Sequence, residues 1–324
     1  MNFIWFKEKA FRFYKKLIIN NFRRVVYSSY YYLFKSFKVP YCNYVKKRGL
    51  KKLKIKYPIV VPISFNDVNF LIFLTSSGLL EDRLISKVDF EACLLDLADY
   101  FIKEDTTIID VGANIGIYSL YFSKKYPSCQ VYSYEPVSSV FKSFKKSMEI
   151  NSLTNLHPYL MAVGSDCTET EIYAATDASY NKGLSSIMKN FDLNETYIKE
   201  KINVITLDSH IKKYNRVSFI KIDVQGLEKN VLDGASKIIK RDKPVIIFEH
   251  SDLYFKTPLE TRKHISDLFS LQNYQVYLIR REEKEFKYLV LEDIDFRNSL
   301  DNLDADFIAI PMGPVEFSAS KYLT

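Results

Sequence analysis

Asp110, Gly112, Asn114 and Gly116 form a spaced string, Asp-x-Gly-x-Asn-x-Gly, at the end of an apolar run over 107–109. A helix-like stretch follows, then a second apolar run, 131–134, which ends on Glu135. The order is strand, glycine turn, helix, strand, acid. Such a turn brings backbone N–H groups and a helix N-terminus to a ligand. An acid ending the next strand can accept two hydrogen bonds from a ribose diol. Two ligands fit this outline: a dinucleotide and S-adenosylmethionine (SAM). A pyrophosphate wants Gly-x-Gly-x-x-Gly, so that the backbone can come close; here Asn114 stands where the second glycine would be. A carboxylate at 110 repels a pyrophosphate and suits a cation. SAM carries a sulfonium, an ammonium and no phosphate, so the string favours SAM. The plainer reading is a tight turn whose glycines serve packing alone, which makes the spacing of Glu135 a coincidence.

A second dense segment runs from Phe219 to Glu228. It is a buried-type strand with Lys221 and Asp223 at its end, then Gly226 opening a helix that carries Glu228. In doubly wound sheets ligands sit at the carboxyl ends of strands, so Asp110 and Asp223 should face one crevice. The next strand, 245–248, ends in Glu249-His250 on the same rim. Polar groups at the ends of apolar strands are costly if buried without partners, and their convergence points to a site. Methyl transfer from a sulfonium is an in-line displacement that needs an aligned acceptor and a home for its proton. Asp223, Glu249 and His250 are the candidates for that role, with Lys221 beside them. The alternative is that Asp223 caps the following helix and Glu249 pairs with Lys221. Asp223 and Glu249 could also hold a divalent cation, a weaker reading because no third ligand stands at convincing spacing. The segment Asn181–Ile187 is either an acceptor-facing loop or an ordinary surface loop.

Strand patterns fall at 107–111, 130–134, 157–163, 217–223, 244–249, 274–280 and 304–310, with helical patterns at 115–125, 138–150, 227–240 and 258–270. Strands alternating with helices imply an α/β fold whose mostly parallel sheet is covered on both faces. The late close pair of strands suggests an antiparallel edge. Ahead of this domain, 59–65 and 68–74 read as a hairpin turning at Asn66-Asp67. Residues 89–102 are helical in pattern, with Phe90, Leu94, Leu97, Ala98 and Phe101 at three- and four-residue spacing.

The chain has 324 residues and a net charge of +7, but the charge is unevenly placed. Residues 1–56 hold sixteen Lys and Arg and a single acid, Glu8, which leaves the remainder net negative. A broad nucleic-acid-binding face on the main domain is therefore not expected. Within the basic arm, residues 3–35 read as an amphipathic helix: Phe3, Phe6, Ala10, Phe13, Leu17 and Ile18 on one side, Lys9, Arg12, Lys16 and Arg23 on the other. Such a helix can lie in the headgroup region of an anionic membrane or dock on the main domain. Nucleic-acid binding fits less well, because the aromatics form an apolar face rather than stacking platforms. Four separated cysteines and four histidines without ligand spacing suggest neither disulfides nor zinc, and a reducing cytoplasm fits. No apolar run is long enough for a spanning helix, and no signal peptide is evident.

Residues about 105–250 resemble the FkbM-type SAM-dependent methyltransferases. The resemblance rests on Asp110-Val-Gly112-Ala-Asn114-Ile-Gly116-Ile-Tyr-Ser119, Glu135-Pro136, Ser185-Ser186 and Thr206-Leu207-Asp208. It rests most on Lys221-Ile-Asp223-Val-Gln225-Gly226-Leu-Glu228, followed by Leu232-Asp-Gly234-Ala and the run Pro244 to Glu249. It implies a Rossmann-like, seven-stranded, mostly parallel sheet with an antiparallel edge strand, the class I methyltransferase fold. Asp110 to Gly116 and Ser119 would then hold SAM, with Glu135 on the ribose hydroxyls. Members typically O-methylate hydroxyls on sugars, glycolipids or polyketides, and the family motif often reads Glu where this chain has Gln225. The expected organisation is an arm over 1–56, a hairpin and helix over 57–104, and the methyltransferase domain over 105–316. The expected acceptor is a saccharide, glycan or glycolipid precursor, with the arm placing the enzyme at the cytoplasmic membrane face. The alternatives are methylation of RNA or another polyanion, and a scaffold that has lost turnover.

Overall fold

The computed structural model describes residues 55–85, 92–176, 197–212, 216–255, 257–281, 289–293, 295–297 and 303–313. The expected amphipathic helix, the 181–187 loop and Ser185-Ser186 lie outside them. A hairpin, β1 (Ile59–Phe65) and β2 (Val68–Leu74), opens the described chain. Its turn residues Asn66 and Asp67 have φ of 46° and 64°, the left-handed pair that a two-residue hairpin loop needs and that these side chains tolerate. Helices α1 (Leu79–Ile85) and α2 (Ala92–Phe101) lead to β3 (Thr107–Val111). Then come α3 (Ile117–Lys125), β4 (Gln130–Tyr134), α4 (Ser138–Ile150) and β5 (Leu156–Tyr159). Three strands follow, β6 (Ala162–Val163), β7 (Thr168–Ala175) and β8 (Tyr197–Ile205), and then a short helix α5 (Leu207–His210). The remainder is β9 (Val217–Ile222), α6 (Glu228–Asp233), α7 (Ser236–Asp242), β10 (Val245–Ser251), α8 (Pro258–Leu271), β11 (Tyr274–Arg281), β12 (Leu289–Asp293) and β13 (Asp304–Pro311).

The main sheet runs β12-β11-β13-β10-β9-β3-β4-β5. Strands β5, β4, β3, β9 and β10 are parallel. β13 inserts antiparallel between β10 and β11, and β12 adds an antiparallel edge beyond β11. The α/β sheet expected from the strand–helix alternation is present, with β12 as an addition. The pattern at 157–163 divides: β5 stays in the main sheet, while β6 pairs with β8 in a separate sheet of order β6-β8-β7.

Side-chain alternation along the strands separates two cores. Ile108, Val131, Phe219, Val245, Ile247 and Ile308 pack with the hairpin, α2, α3 and α4. Ile109, Val111, Ile220, Ile222, Ile246 and Phe248 pack with α5 to α8. Every position of β3 and β9 is buried, as expected of central strands covered on both faces. The motif Thr206-Leu207-Asp208 proves to be a clasp. Thr206 caps α5 by accepting from Ser209 N. Asp208 reaches across to the start of α7, its two oxygens accepting from Lys237 N at 3.0 Å and Ile238 N at 2.9 Å. Gly234 is required nearby, because a Cβ there would lie 2.0 Å from the Gly164 carbonyl oxygen. Replacing Asp208 by Ala strands two helix-terminal donors and should lower the unfolding free energy by about 1–2 kcal/mol in a denaturant titration.

Candidate active site

The glycine turn between β3 and α3 is set by close approach. Gly112 has φ +79°, and a Cβ on it would lie 1.8 Å from the Asp223 carbonyl oxygen. Gly116 has φ +88°, and a Cβ there would strike the Phe144 ring at 2.1 Å. Both glycines are thus demanded by packing and backbone conformation. The N–H groups of the turn are all engaged. Those of Gly112 and Ala113 donate to the Tyr134 carbonyl, and that of Gly116 to the Ala113 carbonyl. Asn114 N donates to Glu135 Oε2 at 2.9 Å, and Ile115 N to the Asn114 side chain at 2.8 Å. A pyrophosphate needs such donors free, so this turn is no phosphate cradle. What it offers a ligand is carboxylate.

Asp110 is 1 % exposed. Its Oδ2 accepts from Ser119 Oγ at 2.5 Å, while Oδ1 has no hydrogen-bond partner. Burial pushes this carboxyl up, against the pull of Lys221 and Ser119. Glu135 accepts from Asn114 N and, through Oε1, from Val137 N at 2.8 Å. Burial raises it to about 7 despite those donors. A carboxylate has about four lone-pair sites, so Glu135 keeps capacity for a diol. Ser119 corrects the expectation that it faces the cofactor. It is fully buried behind Asp110 and spends its hydroxyl on Asp110 and on Ser133 at 2.7 Å; it holds the carboxylate in place.

Alternation along the strands decides the remaining candidates. Lys221 is the register partner of Asp110 across β9 and β3. Its Nζ lies 3.1 Å from Asp223 Oδ2 and 4.6 Å from the centre of the Tyr118 ring. Asp223 does not cap the next helix, whose N-cap is Leu227. Its side chain is 36 % exposed. Against the cost of partial burial, Lys221, Glu249 and Gln225 hold its carboxyl below the usual range. Glu249, two residues beyond Ile247, faces the same side, and Gln225 Nε2 bridges the pair at 3.4 Å from Asp223 Oδ1 and 3.3 Å from Glu249 Oε2. Burial, then Asp223 and Asp306, push Glu249 well above the usual carboxyl range. Of the two carboxyls it is the one that keeps a proton, which it can donate to Asp223.

His250 is the second correction. One residue past Glu249, it points to the other core and is 0 % exposed. It stacks on Phe255 at 5.2 Å and bonds Asp252 at 3.1 Å. A strand's period of two cannot put both Glu249 and His250 at one site. The residues that sequence reasoning passed over are Gln225 as a bridge, and Tyr254, whose hydroxyl donates to Gln225 Oε1. Tyr254 follows Glu249 by five residues, which was the only available signal.

These side chains form a cluster of carboxyl groups at the carboxyl ends of β3, β4, β9 and β10. The Methyltransferase FkbM domain model matches residues 110–278, just over half of the chain. The chain belongs to the FkbM methyltransferase family. Its FkbM domain contains the glycine turn, Glu135, Asp223 and Glu249, while the hairpin, β12 and β13 lie outside the matched stretch. Methyltransferase 1 of Beauveria bassiana (strain ARSEF 2860) is 25 % identical over 191 residues, which cover 54 % of this chain and 76 % of that one. Methyltransferase sdnD of Sordaria araneosa is 22 % identical over 184 residues, covering 49 % and 70 %. A solved FkbM methyltransferase structure from Methylobacillus flagellatus KT aligns at 16 % identity with a TM-score of 0.41, covering 65 % of this chain and 45 % of that one. The match thus spans less than half of that chain's length.

One carboxyl of this FkbM domain is sealed in the protein interior. Glu228, 1 % exposed, accepts from Gly226 N through Oε1 and leaves Oε2 unpartnered. Burial lifts it from 4.5 to about 7. The folded protein keeps this proton where the unfolded chain has lost it, so the stability it contributes is complete below pH 4.5 and is lost as pH rises toward 7. Glu228→Gln should flatten the fall in stability over that window by up to about 1.4 kcal/mol per pH unit in thermal or denaturant unfolding.

Proposed function

We propose that this methyltransferase binds SAM at Asp110, the 112–116 turn and Glu135, and methylates a hydroxyl of a saccharide, glycan or glycolipid precursor. The residues fit the cofactor. The unpartnered Oδ1 of Asp110 suits an ammonium, the turn presents no free phosphate donors, and Glu135 retains room for a ribose diol. Bound there, SAM would supply a methyl carbon on sulfonium, open to in-line attack by an acceptor oxygen, with the C–O bond forming as the C–S pair is left on sulfur. The chain's own residues orient that oxygen and take its proton. Asp223 is the group for the latter: held ionised, partly exposed, and beside the turn through its own backbone.

The observation that supports the reading is a cluster of acidic groups, Asp110, Glu135, Asp223, Glu249 and Asp306, with Lys221 as the ammonium among them and Asp223 as the member held ionised and partly exposed. A neutral polyol can donate hydrogen bonds to such a cluster, whereas a phosphate finds few donors there and the Asp223 carboxylate against it. The basic arm is the feature on the side of a polyanion, and the same arm supports placement at an anionic membrane face. No helix among the described residues is long and apolar enough to cross a membrane.

Calorimetry of SAM on the full-length protein should show saturable binding, weakened at least about tenfold in both Asp110→Ala and Glu135→Ala, the equivalent of roughly 1.4 kcal/mol. A folded wild-type protein that binds no SAM would promote the scaffold alternative. Asp223→Asn should keep SAM affinity and lose roughly 10²–10⁴ in turnover once a glycan acceptor is found; undiminished turnover removes Asp223 from the role. Full-length protein should pellet with phosphatidylserine vesicles and be released by salt. A salt-sensitive RNA complex in place of vesicle binding would favour the polyanion reading.

A further inference from the structure

The half-buried Tyr254 stands in the short helical turn after β10, outside any motif that marked the site. We propose that Tyr254 is a positioning residue: by donating to the Gln225 carboxamide it locks the amide's NH2 edge onto Asp223 and Glu249, and so directs the single proton of that pair toward Asp223. The proposal rests on Asp223 being the group that takes the acceptor's proton.

A carboxamide has two different edges. Here Gln225 Oε1 accepts from the Tyr254 hydroxyl, and Nε2 faces Asp223 Oδ1 at 3.4 Å and Glu249 Oε2 at 3.3 Å. Burial, and after it the acids around it, push the phenol up, so it stays a donor. Were Gln225 Oε1 free, it could turn and accept the proton borne by Glu249, drawing that proton away from Asp223. Tyr254 closes that option. Asp223 then keeps Lys221 on Oδ2, Gln225 on Oδ1 and the Glu249 acid as a third donor. Gln225 is also held at φ +55°, a left-handed conformation that is costly for a side chain of its type. Such outliers persist where the surroundings over-determine them, and they cluster at functional sites. The other charged groups facing the cluster are Asp110 from β3, Lys221 from β9, Glu228 from α6, and Asp304 and Asp306 from β13.

The test is a pH titration of 13C-labelled Asp and Glu carboxyl carbons by NMR, on the full chain without cofactor or acceptor. In the wild type, Asp223 should titrate below ordinary aspartate, and Glu249 should remain neutral through neutral pH. In Tyr254→Phe, which removes only the hydroxyl, the lower step of the pair should rise by about one pH unit, a tenfold gain in proton affinity. Gln225→Glu, which puts a third carboxylate in the bridge, should raise it further and serves if Tyr254→Phe fails to fold. A lower step in folded Tyr254→Phe that coincides with wild type overturns the proposal, as does an unmoved step in Gln225→Glu. No turnover is read. Full activity in Asp223→Asn would sink the catalytic reading and leave the placement of the proton standing.

Discussion

Asp110 and Lys221 are register partners in the two most enclosed strands of the sheet, and the rest of the site follows from having charges there. Buried ions cost several kcal/mol each unless they are paired and hydrogen-bonded. The chain meets that demand from several directions. Ser119, itself bonded to Ser133, holds one oxygen of Asp110, Tyr118 lies against the ammonium, and Asp223 reaches back from the end of β9 to pair with it. The backbone that carries Asp223 passes so near the turn that Gly112 can have no side chain. The Lys221–Asp223 ion pair thus lies where the loop after β9 meets the glycine turn. The same field leaves Asp223 ionised and Glu249 neutral within one small volume.

The sheet separates chemistry from support by parity. Residues 108, 110, 219, 221, 245, 247 and 249 share one face, on which the apolar members join the hairpin-side core and the polar members form the acidic cluster. The opposite face is sealed by α5 to α8 and holds His250 among Phe255, Phe296 and Phe307. On that side the motif residues Thr206, Asp208 and Gly234 bind helices to one another rather than a ligand.

Much of this was legible in the sequence because the central strands are short, largely apolar and carry isolated charges at or near their ends. Asp110, Lys221, Asp223 and Glu249 could be assigned to one rim from topology alone. Strand parity was also legible and would have removed His250, since it stands one residue beyond Glu249. Other features were out of reach for a physical reason. Phe144 and the Asp223 carbonyl are what make Gly116 and Gly112 necessary, and both are far away in the chain. The strands β7 and β8 alternate in Glu, Lys and Thr, so their hydrophobic period is weak. Ser119 reads as a cofactor residue in a linear motif, and only the packing of α3 on β3 and β4 shows that it faces inward.

The hairpin ahead of the matched stretch is tied to the turn through α4. Backbone N–H groups of Leu71 and Phe73 in β2 donate to Asn151 Oδ1 and Ser147 Oγ, each at 2.9 Å, and Phe144 of the same helix closes over Gly116. Phe70, Ile72 and Leu74 complete the core beneath. The segment that marks descent is therefore shorter than the segment that folds. Kinship can be recognised between residues 110 and 278, yet the packed core begins some fifty residues earlier, where a hairpin that carries no signature braces the loop that does.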